Sequence, residues 1–174
     1  MTRVAYDTIG QHAADIPAAA DNPEALIAGY VDGRYAWTGA EFARFPRAAH
    51  VRITVFGVPD WRAASVIDVE AGAFTPQDAR SFLIARRAYR PGGETVYCSL
   101  STLPQVRRAC RGLPPYNVWL AWYRPDAPTV EQVAGAVAQF GCADLAPSVV
   151  AVQWRPGGMW DESVVYDADW HPAP

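Results

Sequence analysis

The chain contains no lysine: its fifteen basic residues are all arginine, scattered among eighteen acids over 174 residues, for a net charge of −3. Electrostatic binding of nucleic acid calls for a basic domain with a clustered patch, and the sequence offers neither. The two RR pairs, Arg86–Arg87 and Arg107–Arg108, fall in helix-like segments and read as solvated faces. The three cysteines, Cys98, Cys110 and Cys142, are odd in number and widely spaced, which excludes a disulfide framework or a CxxC metal site. They read as small buried hydrophobes. His12, His50 and His171 are isolated, with no His/Cys cluster, so no metal is expected. No apolar run approaches the ~18–20 residues of a membrane helix. The start, MTRVAYDTIG, lacks the basic head and apolar stretch of a secretory leader. The expectation is a protein made in the cytoplasm, released later by a partner system or built into a phage particle, with no membrane or nucleic-acid partner.

What is present is the material of a folded core. Half of the residues are apolar (51%) and 19% are charged, a balance that favours order over disorder. One domain is expected over residues 1–170, with HPAP (171–174) as a loose tail. Short β-branched runs alternate with helical stretches, the pattern of a parallel sheet covered by helices. Strands are predicted at 3–8, 27–33, 50–57, 65–71, 94–100, 117–123, 148–154 and 163–169. Several are apolar almost throughout, as strands buried on both faces should be. Thr75 can cap a helix over PQDARSFLIARRAYR, with Pro76 in its first turn. LPQVRRACRG ends at Gly112, and TVEQVAGAVAQFG begins with Thr129 and stops at Gly141. A shorter helix, TGAEFARF, follows the second strand. The fold class is therefore α/β, a small TIM-like (β/α) barrel. Two connections break its rhythm. About seven residues separate TVFG from SVID, short of the ~10–12 that a parallel crossover requires. RPGGMWDE suits a hairpin, so late antiparallel strands are expected.

The segment V-I-D-V-E-A-G at 66–72 carries the clearest chemistry. Asp68 and Glu70 are two apart on a predicted strand, so both point to one face. Two carboxylates in an apolar strand are costly to bury without a purpose, and at the strand's C-terminal end they would line a barrel mouth, where such folds place active sites. Their Cβ atoms are roughly 6.6 Å apart, and two charges at that distance repel by about 2.5 kcal/mol at an effective dielectric of ~20. That is close to ~2 pKa units, enough to lift one carboxyl toward ~6. Glu70 is read as this proton donor, with Asp68 ionised beside it. Asp7 closes the first predicted strand, and Asp167 with Asp169 the last. First and last strands are neighbours in a closed barrel, so Asp7 and Asp167 could converge on the same mouth. An acidic Mg²⁺ or Ca²⁺ site is the rival use of such oxygens. Of the aromatic residues Tyr97, Trp119, Trp122, Tyr123, Trp154 and Tyr166, some are expected to stack on sugar faces and others to pack the core.

In these residues the sequence resembles glycoside hydrolase family 25, the lysozyme-type muramidases, and related actinobacterial glycoside-hydrolase-like domains. Asp68-Val69-Glu70 resembles the family's central D-x-E motif. Val96-Tyr97-Cys98-Ser99 resembles its next strand, and Trp119-Leu120-Ala121-Trp122-Tyr123 its W-x-A-x-Y strand. Gln153-Trp154, Asp167-Ala168-Asp169-Trp170, and Asp7 with Gln11 follow in family order. The resemblance implies a barrel of five βα units closed by three further strands. It also implies cofactor-free hydrolysis of β-1,4 bonds in peptidoglycan. Glu70 would be the acid, Asp7, Asp68 and Asp167 its supporting carboxylates, and Tyr97, Trp119, Tyr123, Gln153 and Asp169 the substrate contacts. Residues 1–64 match only loosely. A non-catalytic descendant on the same barrel, a glycan-binding module or a structural part of a phage or export system, is the alternative.

Overall fold

The computed structural model describes residues 3–170; the tail at 171–174, His171 included, lies outside the described residues. Eight strands close into a barrel in sequence order. They are β1 Arg3–Thr8, β2 Ala25–Tyr30, β3 Ala49–Thr54, β4 Val66–Val69, β5 Thr95–Ser99, β6 Asn117–Ala121, β7 Val149–Arg155 and β8 Asp161–Val165. Each overlaps a predicted strand. Strands β1 to β7 pair in parallel, while β8 is antiparallel to both neighbours, β7 and β1. The late antiparallel character is thus confined to β8, because the segment between β6 and β7 is long enough to return the backbone to the bottom of the barrel. That segment holds helix α4 (Val130–Gln139) and a 3-10 turn.

The helices form where their caps allow. Helix α1 (Gly39–Phe42) is a single turn, α2 (Pro76–Tyr89) the longest, and α3 (Leu103–Ala109) lies between β5 and β6. Thr38, Thr75 and Thr129 each cap a helix in a reciprocal capping box with the residue three places on, satisfying backbone donors that a helix start leaves free.

The short crossover from β3 to β4 is the irregular one. These strands are parallel, with two residue pairs in register, and residues 55–65 between them form no helix. Side chains hold this link instead. Asp32 accepts from Val55 N at 2.8 Å, from Phe56 N at 3.0 Å and from the Thr54 hydroxyl. At the other end Arg86 of α2 donates to Trp61 O at 3.2 Å. Arg86 is buried, not on the solvated face expected of it.

Alternation along the strands separates two cores. Ile67 and Val69 join the layer under the helices with Phe82, Leu83, Val106, Val133 and Val137. Ala5, Ala28, Val51, Val66 and Ala151 face the barrel interior. Small residues leave room there for Trp119 and Trp170, packed edge-to-face at 5.6 Å. Trp170 seals the bottom by donating to Thr95 Oγ1 at 3.1 Å. The opposite end, at the C-terminal ends of β1–β7, stays open.

Candidate active site

The interior face of β1 reads Arg3, Ala5, Asp7, which puts Asp7 at the mouth. On β4, Val66 faces the interior core, so Asp68 points the same way and Glu70 follows just beyond the strand. Asp7 lies opposite Asp161 across the β1–β8 pair. Asp7 and Asp68 are buried. Among the described residues, Oδ1 of each is enclosed and has no hydrogen-bond partner.

Packing carboxyls together away from water shifts all of them toward the protonated form. Burial, then repulsion from Asp161, Asp68 and Glu70, holds Asp7 well above its ordinary range. Burial and the charge of Glu70 push Asp68 up to about 7, against a small opposing effect of the Tyr30 hydroxyl, 3.5 Å from Asp68 Oδ2. Glu70 is raised by burial and by Asp161. Asp161 is raised by burial, an effect reduced by hydrogen bonds from Gly157 N and Gln153. The expectation that Asp68 stays ionised while Glu70 holds the proton is therefore modified. Asp68 is the more deeply buried of the two, so the pair retains protons jointly.

Asp167 and Asp169 are not at this mouth. The amide of Asp167 reaches toward Val150 O, near the start of β7, and Asp169 N donates to Asp167 Oδ1 at 2.9 Å. Both lie at the sealed end beside Trp170. The reason is strand direction: a strand's C-terminal end reaches the mouth only if the strand runs with the others, and β8 runs against them. Its first residue, Asp161, takes that place. Trp119 is a second correction. It is fully buried in the interior, donating to Ser163 Oγ at 2.9 Å and packed against Tyr97 at 5.3 Å, so it supports the site from beneath and presents no face to a ligand.

The other expected contact residues gather near the acids. Tyr97 donates to Gln153 Oε1, and Gln153 in turn bonds Asp161. Both are buried, so this pair orients Asp161 from below. Tyr123 is exposed beyond β6, within the electrostatic reach of Asp161 and Glu70. Gln11 is exposed and contacts His12.

A cleft of about 550 Å³ is lined by Asp68, Glu70, Tyr30, Arg34, Tyr35 and Phe56. A hollow of about 250 Å³ on the other side of Tyr30 contains Asp7 and Asp161. Its wall is the β7–β8 hairpin, whose Met159 carbonyl accepts from Thr8 Oγ1. Asp161, Tyr30, Arg34 and Tyr35 were not among the expected site residues. Tyr30 at the end of a predicted strand and the acid in RPGGMWDE were visible signals; Arg34 and Tyr35 carried none. Among the described residues, no group of three or more His, Cys, Asp and Glu is arranged to hold a metal ion.

Comparison with known proteins bears on the fold. No family model and no curated protein sequence matches the chain. Among solved structures it is similar to GHIP, a glycosyl hydrolase 25 of Streptococcus pneumoniae described as a virulence factor participating in host cell invasion. The two share 12% sequence identity with a TM-score of 0.58, over 98% of this chain and 89% of that one. The barrel is thus of the kind found in a family 25 glycosyl hydrolase.

Proposed function

We propose that the protein is a glycoside hydrolase that cleaves β-1,4 bonds in peptidoglycan-type glycans, with Glu70 as proton donor and Asp7, Asp68 and Asp161 as supporting carboxylates. The observation that carries this reading is the gathering of acids from β1, β4 and β8 at one barrel mouth, Asp68 and Glu70 in the cleft and Asp7 and Asp161 in the hollow that shares Tyr30 with it, with their pKa values raised. Peptidoglycan is the first substrate to test because of the family resemblance of Asp68-Val69-Glu70.

The chemistry follows from shared protons. A coupled pair such as Asp68 and Glu70 holds one proton to near pH 7 and ionises in steps. Glu70 is the less buried member and lines the cleft, so it delivers that proton to the glycosidic oxygen as the C–O electron pair leaves with the sugar. The transfer leaves negative charge on the pair, beside the positive charge that develops on the ring. Asp161 adds to that field, and its orientation is held by Gly157 N at 2.9 Å and by Gln153. Water then attacks the ring carbon and gives its proton to a carboxylate of the cluster. Tyr123 at the rim offers a face for stacking on a sugar.

The test is reducing-end release from purified peptidoglycan. Glu70→Gln is expected to lower turnover by at least ~10² with no loss of thermal stability, and Asp161→Asn to lower it while Asp167→Asn does not. Wild-type activity in Glu70→Gln would overturn the assignment. Tight binding of glycan fragments by wild type without any release would favour a non-catalytic sugar-binding role.

A further inference from the structure

The cleft that Asp68 and Glu70 line also carries a cation. Arg34 is the one basic residue among those lining the cleft. Its guanidinium lies 4.7 Å from the centre of the Tyr35 ring and donates to the Tyr35 hydroxyl. Tyr35 is 6.1 Å from Tyr30, and Tyr30 reaches Asp68. Arg34 is thus connected to Asp68 through two aromatic rings and touches neither acid of the cleft directly. The neighbouring acid, Asp32, is engaged with Thr54, Val55 N and Phe56 N, and among the described residues no ion pair joins Arg34 to a carboxylate.

The backbone enforces this presentation. Gly33 has φ +69°, a conformation that L side chains rarely adopt, and a Cβ there would come 3.0 Å from Phe56 Cβ. The turn Gly33–Tyr35 is thereby pressed against the β3–β4 link, which exposes Phe56 (67%) beside the cleft. Tyr35 and Phe56 supply apolar ring faces, and Arg34, stacked in place with its remaining donors free, supplies a planar fork that matches a carboxylate. Held on an aromatic face, the guanidinium loses less conformational freedom on binding than a loose side chain would.

We infer that Arg34, with Tyr35 and Phe56, forms a subsite for a carboxylate-bearing sugar, which sets substrate polarity by placing the acidic substituent at Arg34. The inference rests on reading the mouth as a glycan cleft. Physically it answers a problem of charge. A mouth lined by acids repels an anionic glycan, and one cation that touches none of the cleft's acids attracts the acidic group to a single place.

The test reads binding in the Glu70→Gln background, so it does not depend on turnover. Two β-1,4 disaccharides serve as probes, N-acetylglucosaminyl-N-acetylmuramic acid with its free lactyl carboxylate and N,N′-diacetylchitobiose, which lacks the lactyl group. The carboxylate probe is expected to bind at least ~10-fold more tightly, as for one charge-assisted bidentate contact. Arg34→Gln should reduce its affinity to that of diacetylchitobiose, and Arg34→Lys should retain part of the preference. Converting the lactyl carboxylate to its amide should abolish the preference in the Arg34 protein. Equal binding of the two disaccharides, failure of the acidic one to bind, or a preference that survives Arg34→Gln would overturn the subsite. If Glu70→Gln remains fully active in reducing-end release but the preference depends on Arg34, the catalytic assignment falls and the subsite stands.

Discussion

At the scale of single residues, the site is governed by where carboxyls are kept from water. Asp68 shows the sign of the effect. Its proton is bound more tightly in the folded protein, up to about 7, than at its ordinary value of 3.8. Between those values the native state therefore binds more protons than the unfolded state, and stability falls as pH rises. Below 3.8 the carboxyl is protonated in both states and carries no penalty. Above about 7 the penalty is complete, at most about 4 kcal/mol for such a shift. Denaturant unfolding of wild type and Asp68→Asn should thus converge near pH 4, and the variant should gain relative stability by pH 8. A constant difference across that range would remove Asp68 from the account. Asp7, Glu70 and Asp161 shift in the same direction, so the whole protein should be more stable under mildly acidic conditions than alkaline ones. Turnover should share this limb, declining as pH rises through about 7 while the Asp68–Glu70 pair loses its shared proton. A neighbouring residue is constrained by space instead: a Cβ on Gly157 would lie 1.6 Å from Trp160 O. Gly157→Ala must therefore move the hairpin and the amide that holds Asp161. Its expected signature is lower turnover with little change in melting temperature, compared by the same release assay.

At the scale of elements, most boundaries were legible because they are written in local chemistry. Thr75 followed by Pro76 marks the start of α2, and its hydroxyl accepts from Asp78 N while Asp78 accepts from Thr75 N at 2.9 Å. Thr75→Ala should cost about 1 kcal/mol in chemical denaturation. Phe82, on the buried face of the same helix, should cost about 3–5 kcal/mol when cut to alanine. Two elements departed from expectation, each because something distant decides them. The β3–β4 crossover works without a helix because Asp32 and Arg86 tie its two ends, contacts that join residues far apart in the sequence. The last strand spans 161–165, not 163–169: its pairing with β1 and β7 sets its limits, and the apolar pattern SVVY fits either frame.

At the scale of the whole molecule, the barrel turns a list of acids into a site. Closure brings β1 beside β8, so Asp7 meets Asp161, and Trp119 and Trp170 fill the interior below them. The sequence by itself determined that Asp68 and Glu70 share a face, through period-two alternation, that Asp7 lies near the end of the first strand, and that strands alternate with helices. Those are consequences of backbone geometry acting over a few residues, and a sequence displays them directly. Which acid completes the group follows from the direction of β8: the hairpin signal in RPGGMWDE pointed to an antiparallel last strand, whose start, and not its end, then lies at the mouth. Closure of the sheet against β1 and β7 set the limits and register of that strand, placing Asp161 at the open end and Asp167 at the sealed one. The same closure buried Trp119 and brought Arg34 and Tyr35 to the cleft, since burial and proximity are set by packing between segments distant in sequence.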